Sequence, residues 1–187
     1  MGLIVLLVII VLIAFWTMAI YNRLVTLRNE TQNGWRQIDV QLKRRHDLIP
    51  NLVNTVKGEM DFEKNTLTAV MDARSRAMSA SGPADAARKE GELGSVLGRL
   101  LAVTENYPQL KSNENVKMLQ EELSSTENKI GFARQFYNDI ATKFNIARET
   151  FPSSLLAGGF TRAELFAVTD DADRAVPTVD LSMKPPA

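Results

Sequence analysis

Residues 116–147 read VKMLQEELSSTENKIGFARQFYNDIATKFNIA, in which Val116, Leu119, Leu123, Thr126, Ile130, Ala133, Tyr137, Ile140, Phe144 and Ala147 recur at alternating steps of three and four. Residues spaced this way share one face of an α-helix, and sustained alternation is the heptad pattern of a left-handed supercoiling seam. Ser112 or Asn113 stands where an N-cap belongs, Glu114 suits the positive helix end, and Phe151-Pro152 closes the run. A helix this long cannot hide its own apolar stripe, so it must pack on neighbours.

A second stripe lies upstream, through Leu24, Leu27, Thr31, Trp35, Ile38, Leu42, Arg45, Ile49, Leu52, Val56, Met60, Glu63, Leu67 and Val70. Its regularity predicts one long helix that continues, kinked, through Pro50 and ends at the turn cluster Ser79–Pro83. Gly34 and Gly58 weaken it by roughly 1 kcal/mol each relative to alanine. A further helix is expected after Pro83, with Asp85 in its first turn. Its apolar face is Leu93, Val96, Leu97, Leu100, Leu101 and Val103, and Tyr107-Pro108 ends it. Short connections make neighbouring helices antiparallel. The fold class is therefore all-α, an elongated antiparallel bundle of long helices with coiled-coil-like packing.

Ahead of the bundle, residues 2–21 read GLIVLLVIIVLIAFWTMAIY, without a charge. About twenty helical residues cross the roughly 30 Å hydrocarbon layer, and Trp16 and Tyr21 sit where aromatic rings favour the headgroup boundary. A cleaved signal peptide is disfavoured by the missing basic leader, the length of the run and the lack of an A-x-A site. The expected organisation is a transmembrane anchor over 1–22, the bundle over 23–152 and a C-terminal segment over 153–187. In that last segment Arg162–Phe166 should form a short helical turn. Asp170, Asp171, Asp173, Pro177, Pro185 and Pro186 make an acidic, proline-containing tail. Arg23, Arg28 and Arg36 follow the span, which places the soluble part in the cytoplasm by the positive-inside rule.

The 187 residues carry 22 Lys plus Arg against 22 Asp plus Glu, so no global cationic surface for nucleic acid exists. With no cysteine, thiolate nucleophiles, disulfides, iron–sulfur clusters and cysteine zinc sites are excluded. His46 is the single histidine and makes a poor metal site alone. Glu121 and Glu122 are adjacent and point about 100° apart on a helix, so they do not converge. Gly91, Gly94 and Gly98 follow no strand, which makes them small residues for close helix approach rather than a phosphate loop. No cofactor, no metal and no enzymatic activity are expected.

The segments Tyr21-Asn22-x-Leu24-Val25-x-Leu27-Arg28-Asn29, Trp35-x-Gln37-Ile38-Asp39-Val40-Gln41-Leu42-Lys43-Arg44-Arg45 and Asp47-Leu48-Ile49-Pro50-Asn51-Leu52-Val53 carry a likeness. So do Glu105-x-Tyr107-Pro108-x-Leu110-Lys111, Thr126-Glu127-x-x-Ile130 and Ala133-Arg134-x-x-Tyr137-Asn138. Together they resemble the LemA family of bacterial single-pass membrane proteins, from the anchor to about Phe166. The resemblance implies a helical bundle behind one span in the bacterial inner membrane, with no enzymatic activity to carry over. It also implies membrane organisation, since a member in magnetotactic bacteria is associated with magnetosome membranes. Lipoprotein members would hold the domain outside the cytoplasm, so sidedness stays open. Residues 58–63, GEMDFE, depart from the family, which carries an aromatic first and a His-Glu pair last. A role for that histidine does not transfer.

Candidate interaction and register residues are Trp35, Arg44, Arg45, Asp47, Glu63 and Tyr137. Trp35 reads as a core or interface anchor. Lys43-Arg44-Arg45-His46-Asp47 reads as a charged face, solvated or paired within the bundle, with His46 at the surface or capping. Lys43 stands roughly 33 Å beyond Tyr21 at helical rise, past the about 8–10 Å reach of the membrane surface potential. Asp39 and Lys43 are spaced for an i,i+4 pair. Arg45 and Glu63 interrupt the stripe, and a charge there needs a partner; Glu121, Glu122 and Glu127 are the carboxylates in range of Arg45. The functional expectation is a membrane-anchored, homo-oligomeric scaffold or adaptor with the bilayer and an unidentified membrane protein as partners. The alternative is a regulatory module whose tail docks a separate membrane enzyme.

Overall fold

The computed structural model describes residues 1–58 and 64–167. Its elements in chain order are α1 (Gly2–Lys57), α2 (Lys64–Met78), α3 (Gly82–Thr104), α4 (Pro108–Ser112), α5 (Glu114–Glu149) and a 3-10 helix over Ser153–Gly159. Among the described residues there is no strand. The span and the first bundle helix are one continuous rod, and α1 passes through Pro50 without ending.

α5 lies antiparallel to α1 along most of its length. Leu24 meets Phe144, Trp35 meets Tyr137, and Arg45 meets Glu127. Gly34 lets the two helices close up: a Cβ there would touch the Tyr137 backbone at 3.5 Å. Both stripes turn inward, burying Ile38, Leu42, Ile49, Leu52 and Val56 of α1 and Val116, Leu119, Leu123, Ile130, Ile140 and Phe144 of α5. Fully burying a side chain of this kind is worth about 1.5–3 kcal/mol, which supplies the force that pairs the rods.

The expected single helix over Leu24–Val70 is instead two. α1 stops at Lys57, Gly58 lies in a turn, and α2 folds back on α1. Lys64, Leu67 and Met71 lie beside Lys57, Val53 and Pro50, and the Arg74 Nε–H donates to the His46 carbonyl at 2.6 Å. The reason is burial. A straight continuation would leave Leu67 and Val70 in water, whereas the hairpin places them in one core with Ile49, Leu52, Leu93, Leu100, Leu110 and Val116. Glu63 lies outside the described residues.

α3 returns antiparallel to α2. Asp85 in its first turn accepts from the Ser81 backbone N–H at 3.0 Å and pairs with Lys89 and Arg88 at 2.8 Å each. The Lys89 ammonium first, then the Ser81 N–H and the Arg88 guanidinium, hold its carboxyl well below the usual carboxylate range. Asn113 caps α5, accepting from the N–H groups of Asn115 and Val116.

Past α5 the 3-10 helix packs Ala157 and Phe160 against Leu24 and Phe144. Arg162–Leu165 is not helical as expected but extended, and it runs back along α5 as a strap. Side chains of α5 satisfy peptide groups at Ala163, Glu164 and Phe166 and the carbonyl of Phe160 just before it. The Asn145 amide donates to Ala163 O and accepts from Ala163 N–H, both at 2.9 Å. Asn138 does the same for Phe166 at 3.1 and 2.9 Å, and Arg148 Nε–H donates to Phe160 O at 2.7 Å. The acidic tail lies outside the described residues.

Candidate functional site: a buried charge cluster and an open helix flank

Arg45 lies on the inward face of α1 and is buried together with His46 and Glu90 of α3. Its guanidinium reaches Glu90 at 3.3 Å and Glu127 of α5 at 2.9 Å. Glu127 is one of the three carboxylates expected to meet it; Glu90 is not among them. The other Glu90 oxygen contacts His46 Nε2 at 2.5 Å. His46 is thus an interior residue rather than a surface or capping one, because α3 covers a side of α1 that the stripe alone reads as its edge. Gly94 makes the approach possible, since a Cβ there would sit 3.3 Å from the Arg45 guanidinium. Gly91 and Gly98 meet nothing within 4 Å, so close helix approach is confined to Gly94.

A cleft of about 440 Å³ opens beside this cluster, lined by Arg45, Gly94, Leu97, Gln120, Glu127 and Asn128 among others. Arg45 already faces two carboxylates there and offers no free cation to an anionic ligand. The cluster ties α1, α3 and α5 at one height, and its physical role is register.

The remaining candidates are dispersed. Arg44 pairs with Glu122 at the surface of the α1–α5 seam. Asp47 is exposed and, among the described residues, forms no ion pair; the Asp39–Lys43 pair is likewise not formed. Trp35 is half-buried, with its ring 5.9 Å from Tyr137 and 6.0 Å from Phe166.

Tyr137 is buried, and its hydroxyl donates to Glu164 O of the strap at 2.6 Å. Burial, with the Glu164 carboxylate second, pushes the phenol up from 10.0 to about 12. A raised phenol pKa favours the neutral folded form, so this contribution is complete below pH 10.0 and is lost as pH climbs through about 12. A phenolate absorbance titration is expected to show a step close to pH 12 that is missing in Tyr137→Phe. The stability difference between the two proteins should shrink over the same interval.

The flank of α1 and α5 turned away from α2 and α3 carries a feature that the stripes do not reveal. Val40, Phe132 and Phe136 line a groove of about 570 Å³ together with Arg36, Gln37, Gln41 and Lys129. Phe132 is 75% and Phe136 49% exposed. Gln41 Oε1 is buried and, among the described residues, has no hydrogen-bond partner. A buried acceptor without a donor costs about 1–3 kcal/mol. The signal was present in the sequence as an i,i+4 aromatic pair off the stripe, Phe132 and Phe136.

Comparison with known proteins follows the same outline. The chain is 29% identical over 189 residues to magnetosome protein MamQ 2 of Paramagnetospirillum magneticum, covering 86% of this chain and 70% of that protein. It is 28% identical over 185 residues to magnetosome protein MamQ of Magnetospirillum gryphiswaldense, covering 83% and 68%. Protein LemA of Metamycoplasma hominis is 28% identical over 137 residues, covering 73% of this chain and 63% of its own. These relatives and the apolar N-terminal helix support a single-pass, membrane-associated protein. A family model described as the LemA family matches residues 34–181, most of the helical bundle and the segment beyond it, so the chain belongs to the LemA family.

Proposed function

We propose that this chain is a membrane-tethered, non-catalytic scaffold whose copies associate through the open flank of α1 and α5. The observation that carries the reading is the groove of Val40, Phe132 and Phe136 over the unpartnered Gln41 Oε1. Large exposed aromatics beside an unsatisfied buried acceptor mark a surface that gains from being covered. A second copy suits it. Copies held by parallel spans in one bilayer meet at equal heights, so the same residues face each other across a two-fold axis. The amides of Gln37 and Gln41 are donor and acceptor at once, which makes them self-complementary across that axis. Arg23, Arg28 and Arg36 after the span support a cytoplasmic domain. Two of the relatives are named magnetosome proteins, which fits a role in organising a membrane.

The double substitution Phe132→Glu with Phe136→Glu places like charges face to face on this flank. Light scattering on the detergent-solubilised full-length protein is expected to give multiples of 20.8 kDa for wild type and 20.8 kDa for the double variant. A wild-type protein that stays at 20.8 kDa at every concentration contradicts the reading.

A second reading is that the acidic tail, with Asp170, Asp171 and Asp173 close together, docks a separate membrane enzyme through its charge. Crosslinking in membranes with and without the residues after Ala167 tests it. One tail-dependent partner supports it, and an unchanged crosslinking pattern opposes it.

A further inference from the structure

We propose that the Phe151–Phe160 turn is a second membrane contact, with Phe151 and Leu155 inserted in the headgroup–acyl boundary of the bilayer that α1 crosses. The proposal rests on the reading of Gly2–Tyr21 as a span and concerns a surface separate from the open flank. Height is the first argument. α5 runs down toward the span, and its C-terminal Phe144 is packed with Leu24, Ala157 and Phe160. The Phe160 ring lies edge-on to Tyr21 at 5.7 Å. Tyr21 closes the uncharged apolar run, so the turn stands at the level where the hydrocarbon layer ends.

Chemistry is the second argument. Residues 151–160 read FPSSLLAGGF and carry no charge, in a chain whose composition is 24% charged. Phe151 and Leu155 are each 75% exposed, so nothing among the described residues covers them. Leu156 and Ala157 point inward instead and hold the turn on the bundle. Arg148, which donates to Phe160 O, and Arg162 flank this turn on either side of Glu149 at 3.6 Å each, so two guanidinium groups share one carboxylate and leave net positive charge for lipid phosphates, with apolar stems beneath. An exposed Phe and Leu on an uncharged loop, flanked by Arg148 and Arg162 at the height of the boundary, fits a lipid surface better than water. The contact would hold the bundle upright, because a rod fixed at two points on the bilayer cannot swing about its anchor.

The cysteine-free chain allows a direct test in full-length protein reconstituted into vesicles of phosphatidylcholine and phosphatidylglycerol. Leu155→Cys is labelled with an environment-sensitive fluorophore, and lipids spin-labelled near the top of the acyl chain serve as quenchers. Val8→Cys reports on the span and Ser125→Cys on the distal bundle. The expected result is blue-shifted emission and loss of most signal to the quencher at Leu155→Cys and Val8→Cys, with neither at Ser125→Cys. Adding Phe151→Ser should weaken the Leu155→Cys quenching. Water-like emission at Leu155→Cys with Val8→Cys still quenched overturns the contact and leaves the anchor standing. Blue-shifted emission that lipid quenchers do not reach also overturns it, because a protein surface is then the cover. An unquenched Val8→Cys sinks the anchor itself. Repeating the series in phosphatidylcholine alone separates the apolar insertion, which persists, from the arginine contribution, which is lost.

Discussion

Glu90→Ala is expected to lower the stability of the bundle by about 3 kcal/mol, the cost of removing one partner from a buried ion pair. Glu90 faces both Arg45 and His46 in the interior, so its loss takes one of two carboxylates from Arg45 and the carboxylate partner from His46. Glu127 still reaches Arg45 from the more exposed side, which keeps the effect at the lower end of the range. At about 2–4 °C per kcal/mol for a chain of this size, the thermal midpoint should fall by about 6–12 °C. Glu90→Gln keeps the size and one hydrogen bond and should fall between Ala and wild type. Arg44→Ala is the contrast. Its pair with Glu122 is at the surface, and such pairs contribute about 0–1 kcal/mol and weaken with salt. Thermal melts of the four proteins at low and high salt check the whole set. An Arg44→Ala loss as large as that of Glu90→Ala would contradict the account of the cluster.

Asn145→Leu should release the strap. In the folded chain the Asn145 amide satisfies both peptide groups of Ala163, and leucine satisfies neither. Each buried peptide group left without a partner costs about 1–3 kcal/mol, so the two together bound the loss at about 2–6 kcal/mol, and the half-buried position of Ala163 places it at the lower end of that range. The change is local because Asn138 and Arg148 still hold Phe166 and Phe160. Asn145→Asp is the sharper variant. It keeps the acceptor for Ala163 N–H but turns a carboxylate toward Ala163 O, so it too should open the strap. Amide hydrogen exchange reads this directly: Ala163 should lose protection in either variant, while Phe166, still held by Asn138, and the core amides of α5 keep theirs. Unchanged protection at Ala163 would show that the side-chain clamp does not hold the segment.

These two sites also mark where the sequence stops being informative. The inward face of α5 was legible residue by residue, as were its Asn113 cap, the passage of α1 through Pro50 and the turn before α3. Each is a local consequence of helical period or turn chemistry. The reversal after Lys57 was not, because the apolar period is the same whether a helix continues or folds back. Gly58 was the available cue, weak by itself. His46 and Glu90 were not linked because a pair 44 residues apart on two helices leaves no periodic trace. The Asn145 and Asn138 clamps were invisible for a related reason. A helical asparagine beside the stripe looks like any polar flank until an extended segment presents its backbone to it. The strap follows from those clamps, whereas the short Arg162–Phe166 stretch was expected to form a helical turn.

Copies of this membrane-tethered bundle are proposed to meet through the open flank of α1 and α5. Site-directed disulfide crosslinking in native membranes tests it most directly, because the natural chain contributes no thiols. Phe132→Cys should yield a covalent dimer under mild oxidation, and Arg99→Cys, on the exposed side of α3, should remain a single chain. Equal crosslinking at both positions, or none at Phe132→Cys, would contradict the claim.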